Sequence, residues 1–196
     1  MKYDLLKKLS EENGGILQTS KAVEAGISKT YFLKFIRDNC YEMVSRGIYL
    51  APDAWADSLY LLALRYPGMT YSHRVALYLH GMTDREPDIF TATVPLGYNA
   101  SSQKQEGMRI FTVKREWYTI GISKASTNFG HTVKAYSPER TLCDILRAGA
   151  DTPMQDRQSA LKEYVTRKDR DIPLLMEYAS IFHVDKTIRQ YMEVLL

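Results

Sequence analysis

Leu5, Leu6 and Leu9, with Tyr3 one turn earlier, form an apolar stripe at i, i+3, i+4 spacing that stops at Asn13-Gly14-Gly15. Ile16 and Leu17 lead to Thr19-Ser20, hydroxyl residues suited to capping a short helix over Lys21–Ala25. Gly26 breaks that helix, and Ser28 caps a third running from Lys29 to about Asn39, with Phe32 and Phe35 as its buried stripe. Ala22 lies four residues before Gly26, where two helices cross closely and only a small side chain fits. Lys21 departs from the apolar residue expected beside it. Tyr41–Val44 then alternates as a strand, Ser45-Arg46-Gly47 turns, and Ile48–Ala51 returns until Pro52. Short helix, glycine turn, capped helix and two-stranded hairpin predict a winged helix-turn-helix over residues 1–53.

Beyond residue 53 the pattern predicts a larger mixed α/β domain, 54–196, with a small sheet first and helices last. The fold class expected for the whole chain is therefore α+β. A helix is expected over Ala54–Tyr66, stopped by Pro67-Gly68, and a second over His73–His80 with Ser72 as its cap. Strands are expected over Asp88–Val94, Met108–Val113, Trp117–Ile122 and Gly130–Tyr136, with 97–107 as an exposed loop. Ser137-Pro138-Glu139 opens a helix that runs to Gly149. Three more helices follow over about Met154–Thr166, Ile172–Phe182 and Asp185–Leu196.

Composition changes this picture little. The 196 residues are 45% hydrophobic and 25% charged, which excludes wholesale disorder and leaves ample chain for a packed core. Two cysteines, Cys40 and Cys143, lie far apart and outside any CxxC pair, so no structural zinc site and a reduced, cytoplasmic setting are expected. No stretch nears the roughly 20 apolar residues of a membrane span, and the first residues lack a signal-peptide core.

The net charge of +3 is too small to name a partner, but its distribution is uneven. Residues 102–138 hold six basic residues (Lys104, Arg109, Lys114, Arg115, Lys124 and Lys134) against two acids. They fit a second nucleic-acid surface, a solvated sheet face or a contact for an acidic partner. The amino-terminal segment is almost neutral in sum, yet Lys21, Lys29, Lys34, Arg37 and Arg46 recur on one expected surface. Ser28, Lys29, Thr30 and Tyr31 stand at the start of the third helix, where side chains reach base edges and phosphates. Lys34 and Arg37 share its face for backbone contacts, and Arg46 at the hairpin tip suits a minor groove or a phosphate clamp. Ser20 and Lys21 open the second helix, whose amino terminus favours phosphate. Double-stranded DNA is the expected partner. A winged helix also serves protein contact, and Tyr41 and Tyr49 fit packing better than readout.

Enzyme signals are weak. His73 and His80 share a helix face without a third metal ligand, and read as packed or capping residues. Glu139, Arg140 and Asp144 fit capping and a salt bridge. There is no GxxxxGK[ST] loop, no GxGxxG after a strand and no HExxH. No catalytic residue, metal or cofactor is expected. The rival from another class is a nuclease or nucleotide-modifying enzyme carried by 54–196 and targeted by the winged helix.

The order Arg46-Gly47-Ile48-Tyr49, Tyr71-Ser72-His73-Arg74-Val75-Ala76-Leu77, Leu79-His80-Gly81 and Ser137-Pro138-Glu139-Arg140-Thr141-Leu142-Cys143-Asp144 resembles the AbiEi antitoxins of bacterial abortive-infection toxin–antitoxin systems. The likeness extends over nearly the whole chain. It implies a transcriptional autorepressor that binds inverted repeats in its own promoter. It also implies a carboxy-terminal domain that counteracts a nucleotidyltransferase-type toxin, in a family classed as neutralising without a stable complex. The family's recognition role carries onto Lys29, Thr30, Lys34 and Arg37, and its wing role onto Arg46. With no heptad zipper or dimer arm, a monomer on each half-site is expected.

Overall fold

The structure, a computed structural model, describes residues 2–147 and 152–195, so the expected helix stop at Gly149 and the terminal Leu196 lie outside it. The described residues form a mixed α+β protein with eleven helices and two small sheets. They divide into two compact units: 1–65 with 127–131, and 66–126 with 132–196.

In the first unit, α1 (Lys2–Glu12), α2 (Thr19–Glu24) and α3 (Lys29–Asp38) close on Leu6, Leu17, Ala22, Ile27, Phe32, Phe35 and Ile36. Ala22 is buried and Lys21 exposed, so the polar residue costs the core nothing. Three short strands, β1 (Ile16–Gln18), β2 (Glu42–Ser45) and β3 (Ile48–Leu50), form an antiparallel sheet in the order β1-β3-β2. β1 has no counterpart in the sequence pattern; three residues are too few to show a period, and its pairing with β3 is what defines it. Neither Thr19 nor Ser20 caps α2. The helix starts directly from Gln18 at the end of β1, and the Thr19 amide donates to the Gly47 carbonyl (2.9 Å) of the hairpin turn. Ser28 does cap α3, its Oγ accepting from the Tyr31 amide at 3.4 Å.

The first unit extends past residue 53. The next helix, α4 (Ser58–Arg65), starts four residues later than the apolar pattern suggests, because buried Asp57 caps it, accepting from the Tyr60 amide at 3.1 Å. The turn 127–131 also belongs to this unit.

The second unit is built on a five-stranded sheet of β4 (Thr70–Tyr71), β5 (Thr91–Pro95), β6 (Arg109–Val113), β7 (Ile122–Ser126) and β8 (Thr132–Tyr136), in the order β6-β5-β4-β8-β7. β4 is antiparallel to β5 and parallel to β8, β6 parallel to β5, and β7 antiparallel to β8. Helices α5 (His73–Leu79), α8 (Pro138–Leu146), α9 (Met154–Thr166), α10 (Ile172–Ile181) and α11 (Asp185–Leu195) pack around Leu77, Leu142, Ile145, Leu161, Leu175 and Ile188.

Three expectations fail here. Residues 97–107 contain α6 (Ser101–Gln105), whose start is held by Asn99 Oδ1 accepting from the Ser101 amide (3.0 Å) and whose Gln103 is buried against Tyr98. The expected strand 117–122 is instead α7 (Arg115–Tyr118) and a turn, so β7 begins only at Ile122. Aromatic β-propensity loses there to tertiary partners. Trp117 packs edge-on against Phe182, and the Tyr118 hydroxyl donates to the Gly68 carbonyl at 2.8 Å. Ser72 does not cap α5. Thr91 Oγ1 takes the Val75 amide (3.1 Å), while Ser72 Oγ accepts from Thr93 Oγ1 (2.8 Å).

Candidate nucleic-acid interface

Helical spacing divides α3 into two faces. Phe32, Phe35 and Ile36 are buried, whereas Lys29, Thr30, Leu33, Lys34 and Arg37 are exposed and recur at i, i+1, i+4, i+5 and i+8. Ser28, Thr30, Tyr31, Leu33, Lys34 and Arg37 line one shallow groove along this face. Tyr31 is half-buried, and the Lys2 ammonium stands 5.9 Å from its ring centroid. Lys29 and Lys34 have no ion-pair partner among the described residues, and Arg37 sits only 3.6 Å from its neighbour Asp38 in an exposed pair.

Arg46 is exposed at the tip of the β2–β3 hairpin, again without a partner among the described residues. Gly47 follows it at φ +77°, the left-handed geometry that closes so short a turn. Tyr49 packs edge-on to Phe32 at 5.5 Å, and Tyr41 lies 5.8 Å from Phe35, so both tyrosines serve the core of the unit. Ser20 and Lys21 are exposed on α2, but Lys21 pairs with Glu24 at 3.0 Å.

The six basic residues of 102–138 do not meet on one strand or one edge. Arg109 is on β6 and Lys124 on β7, the two opposite edges of the sheet, about 19 Å apart at ordinary strand spacing. Lys134 faces Lys124 across the β7–β8 ladder but is half-buried, donating to the Pro67 carbonyl (3.0 Å) and the Tyr118 hydroxyl (3.1 Å). Lys114 lies 3.8 Å from Glu116, and Arg115 Nε donates to the Leu96 carbonyl at 3.4 Å. Lys104 is exposed on α6.

The motif residues of the second unit are interior parts. Arg140 is fully buried, paired with Asp144 at 3.1 Å, and donates from Nη1 to the Trp117 (2.7 Å) and Ile120 (2.9 Å) carbonyls. Glu139 accepts from the Tyr164 hydroxyl at 2.9 Å. His73 stacks on Phe111 with centroids 3.6 Å apart, and burial, then the Arg140, Arg147 and Arg109 charges, hold its pKa down to about 3. His80 Nε2 is 2.7 Å from the Tyr136 carbonyl, and burial lowers its pKa also. Neither histidine presents a lone pair to a ligand cluster, and no group of three potential metal ligands occurs among the described residues.

Sequence reasoning passed over a third arrangement, in the first unit. Asp57 Oδ2 is 2.7 Å from His131 Nδ1 and accepts from Thr127 Oγ1 at 2.6 Å, and the His131 ring lies flat on Tyr60 at 4.2 Å. A separation of 74 residues leaves no local signal for such a pair.

No known family model matches the sequence, and no curated protein does. Among solved structures the chain is similar to the Rv2827c protein of Mycobacterium tuberculosis, at 15% identity and a TM-score of 0.56, over 90% of this chain and 70% of that one. At that identity the likeness concerns the fold alone, a mixed α+β architecture. No helix among the described residues is long and apolar enough to cross a membrane.

Proposed function

We propose that residues 1–53 form a winged helix-turn-helix that binds double-stranded DNA, with α3 in the major groove and the β2–β3 hairpin as the wing. The observation that carries this reading is the exposed α3 face. Three of its donors, Lys29, Thr30 and Lys34, are left unengaged beside Arg37, and an unengaged arginine, Arg46, stands at the hairpin tip. Cations without internal partners suit counterion release at a phosphate backbone.

On this reading the protein is an antitoxin and autorepressor of the AbiEi kind, acting in the cytoplasm on inverted repeats in its own promoter. The second unit opposes a nucleotidyltransferase-like toxin. The basic residues of 102–138, divided between opposite sheet edges, fit a solvated surface better than a second DNA track.

The test is a gel shift on the upstream promoter DNA. Replacing Lys29, Lys34 and Arg46 together by alanine is expected to lower affinity and to flatten the salt slope by about 0.9 for each phosphate left unneutralised. Unchanged affinity and slope would overturn the assignment.

A further inference from the structure

The first unit carries a second concave surface, separate from the α3 groove. It encloses about 880 Å³, within the range of small-molecule sites. Its walls are aromatic. Tyr3, Tyr41, Trp55 and Phe129 line it, and Trp55 is 81% and Phe129 55% exposed, an unusual cost for large apolar rings in water.

At one side of this cleft His131 is held by Asp57. Asp57 is buried and accepts from three donors: the Tyr60 amide, the Thr127 hydroxyl and His131 Nδ1. The Nδ1–H donates to the Asp57 carboxylate, which fixes the ring and turns Nε2 to its other side. Nε2 has no hydrogen-bond partner among the described residues. It lies against Gly14, where a Cβ would come within 3.0 Å of it, and both residues line the cleft. A glycine at that position leaves Nε2 open to the cleft.

The remaining charges on the lining are two carboxylates, Glu11 and Asp53, against one ammonium, Lys7. An excess of carboxylates and the negative faces of aromatic rings select the same partner. Phosphates and carboxylates are disfavoured by the same set.

We propose that this cleft binds a small organic cation, an amine or guanidinium compound whose N–H groups reach Glu11 and Asp53 beside His131 while its charge lies over Trp55 and Phe129. This does not depend on the DNA-binding reading.

Isothermal titration of the full chain with agmatine, which carries both an ammonium and a guanidinium, tests it. Saturable binding with one ligand per chain and a Kd below about 1 mM is expected. Glu11→Gln with Asp53→Asn, and separately Trp55→Ala, should each weaken it at least tenfold; all three side chains are exposed, so folding is not at stake. The charge-matched control Glu12→Gln with Glu24→Gln should leave the affinity unchanged. Absence of heat up to about 10 mM agmatine would overturn the proposal. So would equal weakening by the control pair, which would mark diffuse attraction. Tighter binding of adenosine monophosphate than of agmatine would overturn it in favour of a nucleobase site.

Discussion

Arg140 and Asp144 stand one turn apart in α8 and form an ion pair at 3.1 Å with both side chains out of water. Burial pushes the Asp144 carboxyl up, and the Arg140 guanidinium pulls it back. The guanidinium is also sandwiched between Phe182 and Tyr136, 3.9 and 4.2 Å from their ring centroids.

Asp144→Ala would strand that cation and is expected to cost about 3–5 kcal/mol. The apolar pair Arg140→Met with Asp144→Leu relieves about 1–4 kcal/mol of desolvation, but leaves the Trp117 and Ile120 carbonyls without donors, at about 1–3 kcal/mol each. The double variant should therefore remain less stable than the native chain in urea unfolding. Equal or greater stability would show that the two carbonyls do not depend on Arg140.

Stability should fall on acidification because of His73. Its folded pKa, about 3, lies below the ordinary 6.5, so the folded chain refuses a proton that the unfolded chain takes. The contribution is complete above pH 6.5 and is lost as pH falls toward 3, at about 1.4 kcal/mol per pH unit. Between pH 6.5 and 5 that is about 2 kcal/mol. His80 shifts in the same direction and adds to the slope. His73→Asn keeps a residue tolerant of the φ of +50° found there and should reduce the difference between unfolding free energies at pH 7.5 and pH 5. An unchanged difference would refute the assignment.

The two thiols should differ sharply. Cys40 is exposed and Cys143 buried, where desolvation and then the Asp144 charge push its pKa up to about 12. With a chromogenic disulfide at pH 8, one thiol should react quickly in the native chain, none in Cys40→Ser, and both in denaturant. Fast reaction in Cys40→Ser would mean that Cys143 is reached from solvent.

Much of α3 could be read from residue order, because Ser28 caps it locally and Phe32 and Phe35 mark its buried face. The elements that escaped depend on distant partners. β1 exists through β3, α7 through Phe182 and Gly68, and the start of α5 through Thr91. The α6 start did leave a signal, Asn99 two residues before Ser101, in a stretch whose composition otherwise reads as loop. Arg140 and Asp144 were legible as a salt bridge by their spacing. Their burial was not, since charge at i, i+4 spacing looks the same on a solvated face. The cleft around His131 was invisible, because its members come from four stretches of chain, one of them more than 70 residues beyond the rest.

Glycine positions offer a graded test of packing. Gly121 has φ +74°, and a Cβ there would lie 2.5 Å from Arg140 Cβ. Gly107 has φ +81° with nothing within 4 Å. Gly107→Ala should cost about 1–2 kcal/mol for backbone conformation alone. Gly121→Ala should cost about 1–3 kcal/mol more, because Arg140 is pinned at both ends and has nowhere to retreat. Equal losses would mean that Arg140 moves freely.

The turn at 127–131 makes the first unit discontinuous in the gene. A fragment ending at residue 65 retains Asp57 but keeps only one of its three donors, the Tyr60 amide, and lacks Thr127 and His131. A truncation at that point is therefore expected to leave a carboxylate under-satisfied and to melt earlier than the same segment in the whole chain. Asp57→Asn should narrow that gap. Any shuffling of this amino-terminal unit onto another protein would have to carry along a short clasp encoded far downstream.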